Sequence, residues 1–179
     1  MKTIGLLGGM SWESTALYYR ILNEETRARL GGLHSADLAL VSVDFQAVET
    51  LQHAGNWMEA GALLAARARQ VEAAGARLLL ICTNTMHKVA DTVAAAIDIP
   101  LLHLADATAR RLLADGVETV GLLGTRFTME EAFYRERLEA AGLTVLIPPA
   151  DHRETVHRVI YDELCLGKVR DDSRKTFLG

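Results

Sequence analysis

Leu78-Leu79-Leu80-Ile81 runs directly into Cys82-Thr83-Asn84-Thr85-Met86-His87, and this junction decides the fold class. A short, fully apolar run bounded by a polar turn reads as a strand buried on both faces, as in a parallel sheet. Thr83-Asn84-Thr85, ahead of Met86-His87-Lys88-Val89-Ala90, reads as the N-terminus of a helix. Cys82 is thereby expected at the carboxyl end of a strand, facing the backbone N–H groups of a helix start. Open α/β sheets bind their ligands at that edge, and thiols lose protons there. The plainer alternative treats Cys82 as a small buried hydrophobe.

Strand and helix patterns alternate along the chain. Strands are predicted over Ile4–Leu7, Leu38–Val43, Arg77–Ile81, Leu101–Leu104, Thr119–Leu123 and Leu143–Ile147. Helices are predicted over Glu13–Leu30, Trp57–Ala74, Met86–Ile97, Ala105–Leu113, Met129–Ala141 and Asp151–Leu166. Gly75 and Gly142 fall just past helix ends, where a left-handed cap belongs. Strict alternation implies a parallel sheet with helices on both faces.

Composition narrows the function class. Half of the 179 residues are hydrophobic, enough for a real core, and a net charge of −4 gives no electrostatic case for nucleic acid or an anionic membrane. Two cysteines far apart, without a CxxC pattern, do not make a disulfide framework. The apolar start of the chain is too short for a signal peptide, and no run approaches the roughly 20 apolar residues that span a bilayer. A cytoplasmic α/β protein is the expectation.

Ile4-Gly5-Leu6-Leu7-Gly8 reappears as Val120-Gly121-Leu122-Leu123-Gly124, an offset of 116 residues, and Ala16, Tyr18 and Leu22 meet Ala132, Tyr134 and Leu138 at the same offset. Seven of the nineteen positions from Ile4 to Leu22 are identical, which points to a duplicated βα-rich half rather than to chance resemblance of strand–Gly–helix units. On that spacing the counterpart of Cys82 would fall 116 residues beyond it, past Gly179. The second half is accordingly expected to lack its last helix and the strand that would match Leu78–Ile81. Asp171-Asp172-Ser173 resembles a helix N-cap region, and a helix on the few residues that follow is expected to be marginal.

Several constellations bear on chemistry. Gly8-Gly9-Met10-Ser11 follows a strand and precedes a helix, so its glycines would let the backbone approach an anionic ligand. It is neither GxGxxG nor a Walker loop, so nucleotide binding is poorly supported. Cys82, His87 and His103 match no common zinc spacing, so no metal is expected. Cys165 flanks the apolar stripe Val156, Val159, Ile160 and Leu164, which favours packing. Lys168, just beyond Gly167, would reach a substrate carboxylate or else be a solvated lysine at a helix end.

Gly5-Leu6-Leu7-Gly8-Gly9-Met10-Ser11, Ser42-Val43-Asp44-Phe45, Cys82-Thr83-Asn84-Thr85-Met86-His87 and Gly121-Leu122-Leu123-Gly124-Thr125 together resemble the aspartate/glutamate racemase family, most of all its broad-specificity amino-acid racemase branch. The resemblance implies two pseudo-symmetric parallel-sheet (flavodoxin-like) α/β domains, here residues 1–103 with Cys82 and residues 104–179, the second incomplete. It implies racemisation without a cofactor, in which one cysteine removes the α-proton and a second delivers a proton to the opposite face. Cys82 matches the first cysteine; the second belongs to a Gly-Cys-Thr-Glu-like block that nothing in this chain matches. Thr83, Asn84 and Thr85 match the segment that holds the substrate carboxylate. Met10 and Gln52 match positions lining the substrate, and Thr125 and Lys168 join them as substrate-binding candidates. The aspartate-type members carry an arginine in the loop after the second strand; between Asp44 and His53 this chain has none, which counts against strictly acidic substrates. The expected partner is a small-molecule amino acid, with a homodimer left open.

A typical cysteine is only about a few per cent thiolate at pH 7. A helix N-terminus contributes roughly 0.3–1 kcal/mol, less than one pH unit of acidification. Cys82 is therefore expected to be weakly activated. Three functional readings follow: a racemase with Cys82 as one base, a related isomerase, decarboxylase or hydrolase using Cys82, and a catalytically silent binding or oligomerisation module.

Overall fold

The computed structural model describes residues 1–178. The chain divides into two compact units, Met1–Leu104 and the residues from Ala105 onward. Both are α/β with parallel strands.

In the first unit, β1 (Ile4–Gly8), β2 (Leu38–Ser42) and β3 (Leu78–Ile81) form a parallel sheet in the order β2-β1-β3. Ile4 stands opposite Leu38 on one side and Leu78 on the other, so the carboxyl ends Gly8, Ser42 and Ile81 emerge along one edge. The central strand is the most buried, with Leu6 and Leu7 shut off from solvent. The expected fourth strand at Leu101–Leu104 shrinks to a single bridge between Leu79 and Leu101. His103 and Leu104 turn off that line, because Leu104 already opens the next helix.

Helices α1 (Trp12–Leu30), α2 (Phe45–His53), α3 (Trp57–Ala73) and α4 (Ala90–Ala94) complete this unit. Along α3, Ala60, Leu64, Ala68 and Val71 recur at helical spacing and form one buried stripe against the sheet. Burial of a side chain such as Leu64 is worth about 1.5–3 kcal/mol. Small residues at Ala60 and Ala68 let the helix lie close to the strands. The stripe ends at Gly75, where φ is +94°, and Gly142 has the same role after a later helix with φ +102°.

α2 has no counterpart among the predicted helices. Asp44 caps it, its Oδ1 accepting from the Gln46 N–H at 3.2 Å, and Val48 and Gln52 are its buried face. Phe45, Val48 and Leu51 recur at helical spacing and pack on the core, with the buried Gln52 beside them. The predicted helix Met86–Ile97 also forms differently. Thr85–Val89 is a 3-10 helix, and regular α-helix is confined to Ala90–Ala94.

α5 (Leu104–Ala114) opens on the last residue of the first unit, and the second unit continues it to β4 (Thr119–Gly121), which pairs in parallel with β5 (Thr144–Leu146). The predicted helix Met129–Ala141 is two helices, α6 (Arg126–Glu130) and α7 (Ala132–Ala140), separated by Glu131 in extended conformation. α6 starts early because Thr125 caps it, accepting from the Thr128 N–H at 3.4 Å. Ala105, Ala109, Leu122, Tyr134, Leu138 and Leu143 form the core of this unit. α8 (Ala150–Asp162) stops short of the predicted Leu166, giving way to a 3-10 turn over Leu164–Leu166. α9 (Asp171–Leu178) is a complete two-turn helix despite its brevity. Ser173 in its first turn donates to the buried Glu163 carboxylate at 2.8 Å, an anchor that substitutes for an apolar face.

Candidate active site

The site is built from the carboxyl edge of the first sheet. Cys82 extends the ladder one residue past β3, its N–H donating to the Leu7 carbonyl at 2.9 Å. Its carbonyl accepts from the Ser14 hydroxyl of α1, also at 2.9 Å. The next carbonyl, of Thr83, accepts from Nδ1 of His87 at 2.7 Å. Two successive peptides of the cysteine loop are thus tied by side chains from different elements. The His87 N–H closes the turn on the Asn84 carbonyl at 3.0 Å.

His87 is buried, and its ring meets that of buried His103 edge-on at 4.5 Å between centroids. A carbonyl only accepts, so Nδ1 carries a proton. Nε2 receives the Leu104 N–H at 3.2 Å, so Nε2 carries a lone pair. The geometry defines a neutral ring in the Nδ1–H tautomer.

The Cys82 side chain has no solvent exposure, and burial pushes its thiol up from the ordinary 9.0 to about 12. A thiolate here would be desolvated, which outweighs the small benefit of the following turn. That turn is a weak source of dipole in any case, being a five-residue 3-10 helix rather than the regular helix start expected. The result lies in the direction of weak activation.

Around the thiol-bearing loop, the structure gathers three of the proposed substrate contacts into one buried region. Met10 and Met86 belong to the same core cluster, and Gln52 donates from Nε2 to the Met86 sulfur at 2.8 Å. Met10 is 3% exposed and Gln52 2%, so both are core side chains in this conformation. Thr85 is buried beside them, whereas Thr83 and Asn84 are half-buried. The Asn84 Oδ1 atom is buried and has no hydrogen-bond partner among the described residues. Such an orphaned acceptor costs about 1–3 kcal/mol and suits a donor brought by a ligand.

Thr125 and Lys168 stand in the second unit. Thr125 is buried as the cap of α6, and Lys168 is exposed, its backbone N–H donating to the Glu163 carbonyl at 2.9 Å. Cys165 lies half-buried on the 3-10 turn, and neither cysteine is disulfide-bonded. Among the described residues, no group of three or more His, Cys, Asp or Glu side chains is arranged to hold a metal ion. No described helix is long and apolar enough to cross a membrane.

The Gly8-Gly9 pair does not form the open ligand cradle expected of it. A Cβ on Gly8 would run into the Thr15 side chain, and one on Gly9 into the Val43 backbone. Gly9 also has φ +96° and donates its N–H to the Thr15 hydroxyl at 2.9 Å. The glycines serve close packing of α1 and the β2 exit against the strand end.

A family model described as Asp/Glu/hydantoin racemase matches residues 7–179. The chain belongs to the Asp/Glu/hydantoin racemase family. Among solved structures, a provisionally assigned Asp/Glu racemase from Yersinia pestis superposes with a TM-score of 0.89 at 53% identity, over 99% of this chain and 77% of that one. An aspartate racemase homologue from Pyrococcus horikoshii OT3 follows with a TM-score of 0.80 at 36% identity, over 94% and 74%. The aspartate racemase of Picrophilus torridus shares the fold, with a TM-score of 0.73 at 21% identity, over 90% and 69%. The family assignment makes the chain an isomerase of the racemase type.

Two contributors to the site had no place among the predicted site residues. Ser14 holds the Cys82 carbonyl, and its only sequence signal is a hydroxyl near a helix start. His87 holds the Thr83 carbonyl from four positions away, a spacing that one helical turn brings into reach.

Proposed function

We propose that this racemase interconverts the enantiomers of a small amino acid, with Cys82 as the acid/base on one face of Cα and no pyridoxal cofactor. The observation that carries the reading is a cysteine at the carboxyl end of β3, in a tied-down loop, within a chain matching the racemase family over residues 7–179. Thr83, Asn84 and Thr85 would hold the substrate carboxylate, Asn84 Oδ1 would accept from the substrate ammonium, and Met10, Gln52, Thr125 and Lys168 would shape the rest of the site.

In the forward step the Cys82 thiol first gives its proton to solvent; the Cα–H bond then breaks, the proton passes to the Cys82 thiolate and the electron pair is delocalised into the carboxylate. A second group then protonates the opposite face. The two-thiol reading gives that task to a second cysteine at the repeat spacing, 116 residues beyond Cys82, and so not among these 179 residues, which carry only the first. In the reverse direction Cys82 is the donor, a role for which its neutral resting thiol is already prepared.

Magnitudes decide how the thiolate arises. With the thiol at about 12, ionisation at pH 8 costs about 5 kcal/mol. A turnover of about 10 per second corresponds to a barrier of roughly 16 kcal/mol, so this cost is tolerable yet large. A substrate ammonium about 4 Å from the sulfur would contribute about 4 kcal/mol at an effective dielectric constant of 20, and the α-carboxylate, equally close to Cα, opposes it by a similar amount. Activation of Cys82 therefore rests on the donors of the Thr83–Thr85 segment that would neutralise the carboxylate and leave the ammonium's attraction uncancelled.

Because α2 and its lead-in lack an arginine between Asp44 and His53, neutral amino acids are included among the substrates. The test is racemisation of a panel of acidic and neutral amino acids by the wild-type protein and by Cys82→Ala, resolved by chiral chromatography. Turnover lost in the variant supports the assignment, and equal turnover ends it. Complete burial of the thiol favours one competing reading, a binding module without turnover. That reading predicts no racemisation at any protein concentration.

A further inference from the structure

We infer that His87 is a positioning residue, a neutral Nδ1–H clamp that orients the carboxylate-holding loop and ties it to the start of α5. Its substrate-facing half rests on the racemase reading above. Three observations carry it. Nδ1 donates to the Thr83 carbonyl at 2.7 Å, Nε2 accepts from the Leu104 N–H at 3.2 Å, and the ring is buried with one edge against His103.

A planar trans peptide sets its N–H opposite its C=O. Drawing the Thr83 carbonyl onto Nδ1 therefore fixes the Asn84 N–H in the opposite direction. Ser14 does the same for the preceding peptide, drawing the Cys82 carbonyl to α1 and fixing the Thr83 N–H. Two consecutive N–H donors of the loop are thus aimed by side chains that need not touch substrate. The far nitrogen has a separate task. The Leu104 N–H belongs to the first turn of α5, whose N–H groups have no intrahelical partner, and His87 satisfies one of them. One ring thereby couples the loop after Cys82 to the point where the chain leaves the first unit.

The two bonds are separable by substitution. In His87→Asn the side-chain N–H occupies the place of Nδ1–H and keeps the Thr83 bond while losing the Leu104 bond. In His87→Gln the longer side chain reaches the place of Nε2 and accepts from Leu104, leaving the Thr83 carbonyl without its donor. The protein, labelled with 15N-histidine, is read by long-range proton–nitrogen NMR, with the His87→Asn spectrum identifying the signal. The expected wild-type pattern is a proton on Nδ1 alone; a proton on Nε2, or on both nitrogens at neutral pH, overturns the clamp.

Kinetics of the same proteins then test positioning. His87→Asn is expected to hold KM within about threefold of wild type, whereas His87→Gln raises KM about tenfold with a smaller change in kcat, as loss of one aimed donor implies. Equal KM values in the two variants overturn the positioning role while leaving the racemase reading intact. A wild-type protein that racemises nothing overturns that reading instead, and the tautomer pattern then decides the clamp.

Discussion

Alkylation of Cys82 is the sharpest consequence of its burial. The perturbation is pH, applied to a Cys165→Ser protein so that one thiol reports. With the thiol at about 12 rather than 9.0, the thiolate fraction at pH 8 is about one in ten thousand instead of about one in ten. Ionisation alone slows the reaction roughly a thousandfold relative to the unfolded chain. A more basic thiolate is intrinsically more nucleophilic, with a Brønsted slope of about 0.4–0.5, which restores roughly twentyfold. The expected rate with iodoacetamide, followed by intact-protein mass spectrometry, is therefore at least about fiftyfold below that of the urea-unfolded protein at pH 8. It rises about tenfold per pH unit up to about pH 11.

The same shift has a stability counterpart. The folded value lies above the unfolded one, so the thiol's contribution is fully present below about 9 and is lost as pH rises towards 12. The gap corresponds to about 4 kcal/mol, and the pH slope of unfolding in that window should fall by about one proton's worth in Cys82→Ala, leaving the part owed to groups such as Tyr134, whose hydroxyl is also pushed up by burial. An alkylation plateau below pH 9, or equal rates for folded and unfolded protein, would refute the reasoning.

Three further outcomes follow from contacts elsewhere. Thr15→Val leaves the buried Gly9 N–H without its acceptor and should cost about 1–3 kcal/mol in urea unfolding. Asp106→Asn breaks the two-oxygen pairing with Arg137 at 2.9 and 3.1 Å, yet both side chains are about half solvated, so the loss should stay below about 1 kcal/mol in the same assay. Lys88→Met removes an ammonium 4.0 Å above the Trp57 ring and should cost about 0.5–1 kcal/mol, read as a thermal shift together with a change in Trp57 fluorescence.

The sheet edge bearing Cys82 was legible because parallel strands are buried on both faces and therefore appear as unbroken apolar runs such as Leu78–Ile81. α2 was legible in Phe45, Val48 and Leu51 at helical spacing but went unread in a nine-residue segment; what only the fold creates is the burial of Gln52 beside them, its amide satisfied by the Met86 sulfur. The Met86–Ile97 pattern has helical composition, yet His87 turns back onto Thr83 and tightens the first turns to 3-10 geometry. The Gly8-Gly9 turn was visible as a turn, but whether the space above it belongs to a ligand or to Thr15 depends on packing across the loop. The elevated thiol was equally invisible, since desolvation depends on what the rest of the chain places over Cys82.

Exchange of the Cα proton with solvent tests the central claim most directly. The protein is incubated in deuterated water with a single amino-acid enantiomer, and deuterium at Cα is followed by proton NMR. The account predicts incorporation by wild type and a loss of about a hundredfold or more in Cys82→Ala, the scale of a removed general base. Undiminished exchange in Cys82→Ala would contradict it.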